Sequence, residues 1–248
     1  MDVAVNYCGK PYRMLRTLES LLEHSGRHID AIYLICEPRQ PRSDEDMGVL
    51  TRRLGSRLRV HTVAQYFGWN ARSLLRVRRD AERRRSVRYQ YALEETDKPY
   101  VFVTHNDVVY HADLVGELVR VLDAGSYAGA GAVGQCWNCP ACTAGLCDGT
   151  RNARLRLTSV QALLLSVRVR SPRTRPWRIH PRRPVPLPEC RLNEFACLLD
   201  VGAYRQDTMP WGSAPPLGFY GWELDLGCAW FRAMVAGGHA FAHVPITD

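Results

Sequence analysis

The sequence predicts an α/β protein with a mostly parallel central sheet covered by helices on both faces. Three observations lead there. The first 63 residues alternate strand-like and helix-like patterns, and the strand-like runs are apolar almost throughout, as strands buried on both faces must be. Farther on, the apolar run YVFVT (residues 100–104) passes directly into the polar cluster HNDVVYHAD. At 248 residues the chain has the size of one large α/β domain, here read as a single domain with an insertion at about 136–190.

The elements follow in order. Residues 2–7 read as a buried strand ending in a Gly-Lys-Pro turn at 9–11. Residues 11–24 carry Met14, Leu15, Leu18, Leu21 and Leu22 at helical spacing. Residues 29–36 (IDAIYLIC) read as a second strand, followed by a polar turn at 37–46, a helix running through Leu54, and a third strand at 58–63. The charged stretch 72–95 reads as one helix with Ala81, Val87, Tyr91 and Ala92 turned inward. Residues 100–104 form the clearest strand, and Leu114, Val115, Leu118, Val119 and Leu122 mark the helix after it. From Gly129 the chain is rich in glycine and cysteine, and 151–188 is loaded with arginine and proline. Its proline-dense part supports neither a helix nor a central strand, because proline lacks the amide donor and fixes φ. Regular structure resumes at 193–200, a Pro/Gly-rich loop covers 209–221, a helix is expected at 223–235 and a short strand at 239–244.

Composition narrows the function classes. No stretch approaches the ~20 uninterrupted apolar residues of a membrane-spanning helix. The amino terminus has no basic segment followed by a long hydrophobic one, so a cytoplasmic protein is expected. The net charge of +8 suits an anionic partner: nucleic acid, anionic lipid or a phosphate-bearing substrate. Arginine forks match diphosphates well, although arginine-rich sequences also arise from biased genomic composition. Four of the nine cysteines, Cys136, Cys139, Cys142 and Cys147, fall in one short segment. They supply enough thiolates for a tetrahedral structural Zn2+ site, with Cys190 able to replace one of them. Disulfides and iron-sulfur ligation are the other readings of the same spacing.

Two constellations carry chemistry. His105, Asn106 and Asp107 stand at the end of the clearest strand, where open α/β sheets bind ligands. A carboxylate there can hold a divalent cation across a diphosphate, with His105 as a nitrogen ligand. The same Asp107 would also serve as a cap of the following turn. Glu223 and Asp225 are expected in the first turn of a helix, where they either complement its dipole or act as acid–base groups. Trp211, Tyr220 and Trp222 nearby are either ligand-stacking faces or core.

The segment YVFVTHNDVVYHADLV resembles the metal-binding region of GT-A fold glycosyltransferases of the family 2 type, in which an apolar strand runs into an Asp-x-Asp signature. VAVNYCGKPYRMLRTLESLL is similar to that family's first strand, nucleotide-contacting turn and first helix. EFACLLDVGAYRQ resembles its late strand, and YGWELDLGCAWFRAMVAGG the region that supplies the catalytic base. The four segments occur in the family's order. The resemblance implies a nucleotide-sugar-dependent transferase that moves a sugar from a nucleotide-diphosphate donor to an unknown acceptor with a divalent cation, Mn2+ or Mg2+. It puts Asp107 on the metal, with Asn106 beside it in the donor centre. His105 takes the place of the first acidic residue, a departure that supplies no negative charge. It sets Glu37 where an acidic residue contacts the nucleobase, Tyr7 where it packs on that base, and Arg88 toward the diphosphate. Glu223 becomes the general base, supported by Asp225, in a single displacement that inverts the anomeric centre. The basic insertion suggests an anionic acceptor or peripheral membrane association. A zinc-stapled nucleic-acid-binding protein and a transferase-like protein without activity are the rival readings. The first leaves the strand-borne HND and the WELD segment unexplained, so nucleic acid is not the expected partner.

Overall fold

The computed structural model describes residues 1–37, 47–64, 73–134, 139–147, 155–169, 182–221 and 223–245. Seven strands form one sheet: β1 (Asp2–Tyr7), β2 (Ile32–Cys36), β3 (Leu58–Thr62), β4 (Tyr100–Thr104), β5 (Tyr127–Val133), β6 (Leu192–Asp200) and β7 (Ala240–His243). Their order across the sheet is β3-β2-β1-β4-β6-β5-β7. Only β6 runs against its neighbours, pairing antiparallel with β4 and β5. The helices are α1 (Pro11–Ser25), α2 (Met47–Leu54), α3 (Leu74–Arg79), α4 (Ala81–Arg85), α5 (Gln90–Glu95), α6 (Leu114–Asp123), α7 (Pro140–Thr143), α8 (Ser159–Arg168), α9 (Val201–Asp207) and α10 (Cys228–Ala236).

The alternation of side chains along each strand sorts the core into two layers. Val3, Val5 and Tyr7 of β1 and Phe102 of β4 pack against Met14, Leu18 and Leu21 of α1, Leu50 of α2 and Leu118 of α6. Ala4, Val101 and Val103 point the other way, into a layer with Tyr89, Ala92 and Leu93 around α5, Tyr204 of α9 and Trp230 of α10. β1, β2 and β4 are thus buried on both faces, which explains their apolar continuity, while the edge strand β3 is largely exposed.

Three expectations are corrected. The stretch 72–95 is not one helix. Asp80 is extended (φ −122°, ψ 110°) and caps α4 by accepting from the Arg83 amide, and Tyr89 adopts the left-handed φ of 67°, which ends the helical path again before α5. Ala81 is exposed rather than inward, and Arg72 lies outside the described residues. The helix expected from residue 223 begins at Cys228, because Gly227 takes φ 80° immediately before it. Last, β5 (YAGAGAV) is a strand within what read as an irregular glycine-rich stretch. A Cβ on Gly131 would stand 2.7 Å from the Ala196 carbonyl oxygen and 2.7 Å from the Cys197 Cβ, so the close approach of β5 to β6 requires glycine.

Candidate functional site

Because β1, β2, β4 and β5 are mutually parallel, their carboxyl ends lie at one end of the sheet. Tyr7 closes β1, Glu37 follows β2, and His105, Asn106 and Asp107 follow β4.

The Glu37 carboxylate is buried and fully engaged. Its Oε1 accepts from the Asn6 side-chain amide at 3.0 Å and from Arg88 Nε at 3.0 Å, and the Cys8 thiol donates to Oε2 at 3.8 Å. Burial, followed by the negative charge of Glu37, pushes the Cys8 thiol up to about 11, so it remains a protonated donor. Arg88 sits in the turn before α5. Burial alone would lower its guanidinium, but Tyr89, Glu37, Cys8 and Glu194 more than offset this and hold it charged. Glu37 and Arg88, 51 residues apart in sequence, are therefore one ion pair at the mouth of the first two strands. Tyr7 is wholly buried in the α1 layer, and in this arrangement its ring presents no face to a nucleobase.

After β4, His105 Nδ1 and Asp107 Oδ1 are 2.6 Å apart, and the His105 ring meets Phe195 edge-to-face at 5.0 Å. Asn106 is buried, while the Asp107 side chain is half exposed. The turn is anchored beneath by Thr104, whose hydroxyl bonds to Tyr110 and donates to the Phe195 carbonyl at 3.1 Å. Asp107 opens onto a cavity of about 200 Å³ that is also lined by Arg13, Arg16, Thr17 and Val109, so two arginines of α1 share the cavity with the carboxylate. One carboxylate and one imidazole fit a divalent cation whose remaining ligands come from a diphosphate and water. Among the described residues no group of three or more His, Cys, Asp or Glu side chains stands ready as a complete protein cage.

Glu223 and Asp225 lie in the turns before α10, each against a different arginine. Arg232 Nη2 donates to Glu223 Oε1 at 2.7 Å, and Arg191 Nη2 donates to Asp225 Oδ2 at 2.6 Å. Asp225 Oδ1 also accepts from the Leu226 amide at 2.8 Å. They are not first-turn residues of a helix, since Gly227 separates them from α10. Trp211 is exposed with the Arg205 guanidinium 5.2 Å above its ring, and Tyr220 is half buried. Trp222 lies outside the described residues.

Glu194, near the start of β6, was not anticipated from the sequence. It is buried, and burial raises its carboxyl above the ordinary range against the opposing pull of Arg191, Arg88 and His105. It interacts electrostatically with both predicted groups, through Arg88 and His105 on one side and Asp225 on the other. The available signal is an acid near the start of a strand whose middle, FACLL, is wholly apolar.

Cys136 lies outside the described residues. Of the other three, Cys139 and Cys147 are buried and Cys142 is half buried, and burial pushes the Cys139 thiol up to about 12. No disulfide links two of the described cysteines. Residues 151–154 and 170–181 of the arginine stretch 151–183 likewise lie outside the described residues. No described helix is long and apolar enough to cross a membrane.

No protein-family model matches the chain. No curated protein matches it in sequence. Among solved structures, it is similar to the mannosyltransferase PcManGT from Pyrobaculum calidifontis, solved in complex with GDP-Man and Mn2+. The TM-score is 0.56 at 10% identity, over 98% of this chain and 54% of that one. The chain has a GT-A glycosyltransferase fold. Mouse xyloside xylosyltransferase 1 (TM-score 0.48, 16% identity, 98% of this chain and 85% of that one) is also similar, as is S. aureus TarS 1-349 (TM-score 0.37, 12% identity, 54% and 35%). This GT-A chain spans about half the length of the Pyrobaculum protein.

Proposed function

We propose that the protein is a glycosyltransferase that moves a sugar from a nucleotide-diphosphate donor to an acceptor, with inversion and with the help of a divalent cation. The observation that carries this reading is the gathering of Glu37, Arg88, His105 and Asp107 at the carboxyl ends of β1, β2 and β4 in a GT-A fold. Strand ends of this kind are where α/β sheets receive nucleotides. The solved structure of similar fold contains GDP-Man and Mn2+, which supports a sugar nucleotide and a cation here.

Asp107 and His105 would hold the cation, Mn2+ or Mg2+, which when bound neutralises the charge that builds on the leaving diphosphate. The 2.6 Å His105–Asp107 contact already brings the two side chains that would hold the cation together. Arg13 and Arg16 stand across the same cavity, where they complement phosphate oxygens. Arg88 is held by Glu37 and directs positive charge toward the strand ends, and Asn6 fixes Glu37 from below. Glu223 takes the proton of the acceptor hydroxyl as it attacks. Arg232 orients the Glu223 carboxylate, and Asp225 steadies the same turn through Arg191.

The test is a thermal-shift panel of nucleoside diphosphates and sugar nucleotides with and without Mn2+, followed by transfer or donor hydrolysis assays. A stabilisation that requires metal and disappears in Asp107→Ala is the expected result. If no nucleotide stabilises the protein in the presence of metal and Asp107→Ala changes nothing, the transferase reading fails. Turnover that survives Glu223→Gln unchanged removes Glu223 as the base.

A further inference from the structure

The helix α8 (Ser159–Arg168, SVQALLLSVR) turns Ala162, Ser166 and Leu165 toward the core and four large apolar residues outward. Ala162 and Ser166 are buried, whereas Val160, Leu163, Leu164 and Val167 are 59%, 49%, 65% and 70% exposed. Positions 160, 163, 164 and 167 follow the i, i+3, i+4, i+7 rule, so the four side chains form one continuous stripe on the solvent side. The helix itself is firmly specified. A capping box joins Thr158 and Gln161, with the Thr158 amide donating to Gln161 Oε1 at 2.9 Å, and Ser166 Oγ donates to the Ala162 carbonyl at 2.7 Å. Isolated surface apolar residues are ordinary, but a contiguous stripe of them marks an interaction face.

The charges around the stripe identify the partner. Arg156 and Arg168 bracket the helix and are exposed. Arg182 and Arg183, also exposed, precede Val185, whose bridge to Leu157 holds that strand beside the start of α8. Residues 155–169 and 182–187 contain no Asp or Glu. An apolar stripe whose charged neighbours in these two described segments are all arginines complements an anionic bilayer surface, where the aliphatic side chains enter the headgroup boundary and the guanidinium groups meet phosphates. We propose that α8 docks the protein on an anionic membrane surface. The segment bearing it leaves the sheet at the carboxyl end of β5, the same end at which His105 and Asp107 stand. The docking is independent of whether the strand ends transfer a sugar.

The experiment is co-sedimentation of the full chain with vesicles of equal parts phosphatidylglycerol and phosphatidylcholine, and with phosphatidylcholine alone, at physiological salt. Light scattering on the eluted protein accompanies it. Binding to the anionic vesicles should exceed binding to the neutral ones at least tenfold, and Leu163→Gln/Leu164→Gln should lower it at least tenfold without altering net charge, mass in solution or melting temperature. Val160→Gln/Val167→Gln is the second variant should the first fold poorly, with the same loss expected. The proposal is overturned by absence of binding to either vesicle, by binding that the glutamine variants leave intact, or by a dimer that these variants dissociate. The last outcome would make the stripe a contact between two copies.

Discussion

Removing the charge of Arg88 while leaving Glu37 in place tests the donor-side reading most directly. In Arg88→Met the buried Glu37 carboxylate keeps only the Asn6 amide and the weak Cys8 thiol as donors. The pair is 3.0 Å long with side chains 11% and 4% exposed, so it behaves as a buried ion pair, for which loss of one partner costs about 3–5 kcal/mol. For a chain of this size each kcal/mol shifts the melting temperature by about 2–4 °C, so the variant should melt roughly 6–20 °C lower. Glu37→Gln alone should be destabilising for the mirror reason, since it strands Arg88. The double variant Glu37→Gln/Arg88→Met removes both charges and should recover most of the loss, giving a coupling of at least about 2 kcal/mol in a denaturant-based double-mutant cycle. Strictly additive losses, or an Arg88→Met effect no larger than that of the exposed Arg13→Met, would refute the picture of a mutually dependent pair.

Further outcomes are expected. Asp113 caps α6 and is bonded to Ser25 and His28; burial would raise its carboxyl, but the Gly116 amide, Ser25 and His28 overcome this and bring it down to about 2. Its contribution is present above the unfolded value near 4 and is lost as pH falls from about 4 to about 2, roughly 1–2 kcal/mol after allowance for partial exposure. Asp113→Asn should remove that part of the acid limb in pH-dependent urea titrations. Gly218→Ala would bring a Cβ within 2.5 Å of the Arg88 carbonyl oxygen and 2.7 Å of its Cβ, and should cost about 1–3 kcal/mol by calorimetry while disturbing the Glu37 pair. Glu194 has a carboxyl raised by burial, so its ionisation costs stability as pH rises through the folded value. Glu194→Gln should therefore melt higher than the parent at pH 7 and equally at pH 4. A lower melting temperature at pH 7 would contradict this account.

Most of the fold was legible where side-chain period and burial agree. β1, β2, β3, β4, α1 and α6 follow from apolar runs and 3.6-residue spacing, because each is decided by its own residues packing on one or two faces. The failures have local causes that a pattern of apolar residues does not record. Asp80 and Tyr89 break one charged helix into three by their backbone angles, and β5 is spelled with glycines because β6 approaches too closely for side chains. Gly227 delays α10 past Glu223 and Asp225. The strand-end positions of Glu37 and Asp107 were readable, since they depend only on where strands stop. That Glu37 belongs to Arg88, that Glu223 belongs to Arg232 and that Arg13 and Arg16 share a cavity with Asp107 depended on packing between distant elements.

Two places in the structure reverse the usual placement of polar and apolar side chains. At the start of β6, Glu194 is buried and Phe195 is exposed beside His105. On α8, alanine and serine face the protein while leucine and valine face outward. Neither reversal follows the usual rule that acids are exposed and large aliphatic side chains are buried: Glu194 lies inside with its carboxyl raised by burial, and four large apolar side chains of α8 stand exposed. Both therefore carry a local cost in stability that the rest of the fold offsets, which is the pattern expected where folding and activity make opposing demands. The consequence is a separable pair of experiments. Substitutions that restore the usual polarity at either place should leave the protein as stable or more so. A loss of transfer confined to Glu194 variants and a loss of vesicle binding confined to α8 variants would assign the two reversals to chemistry and to docking respectively.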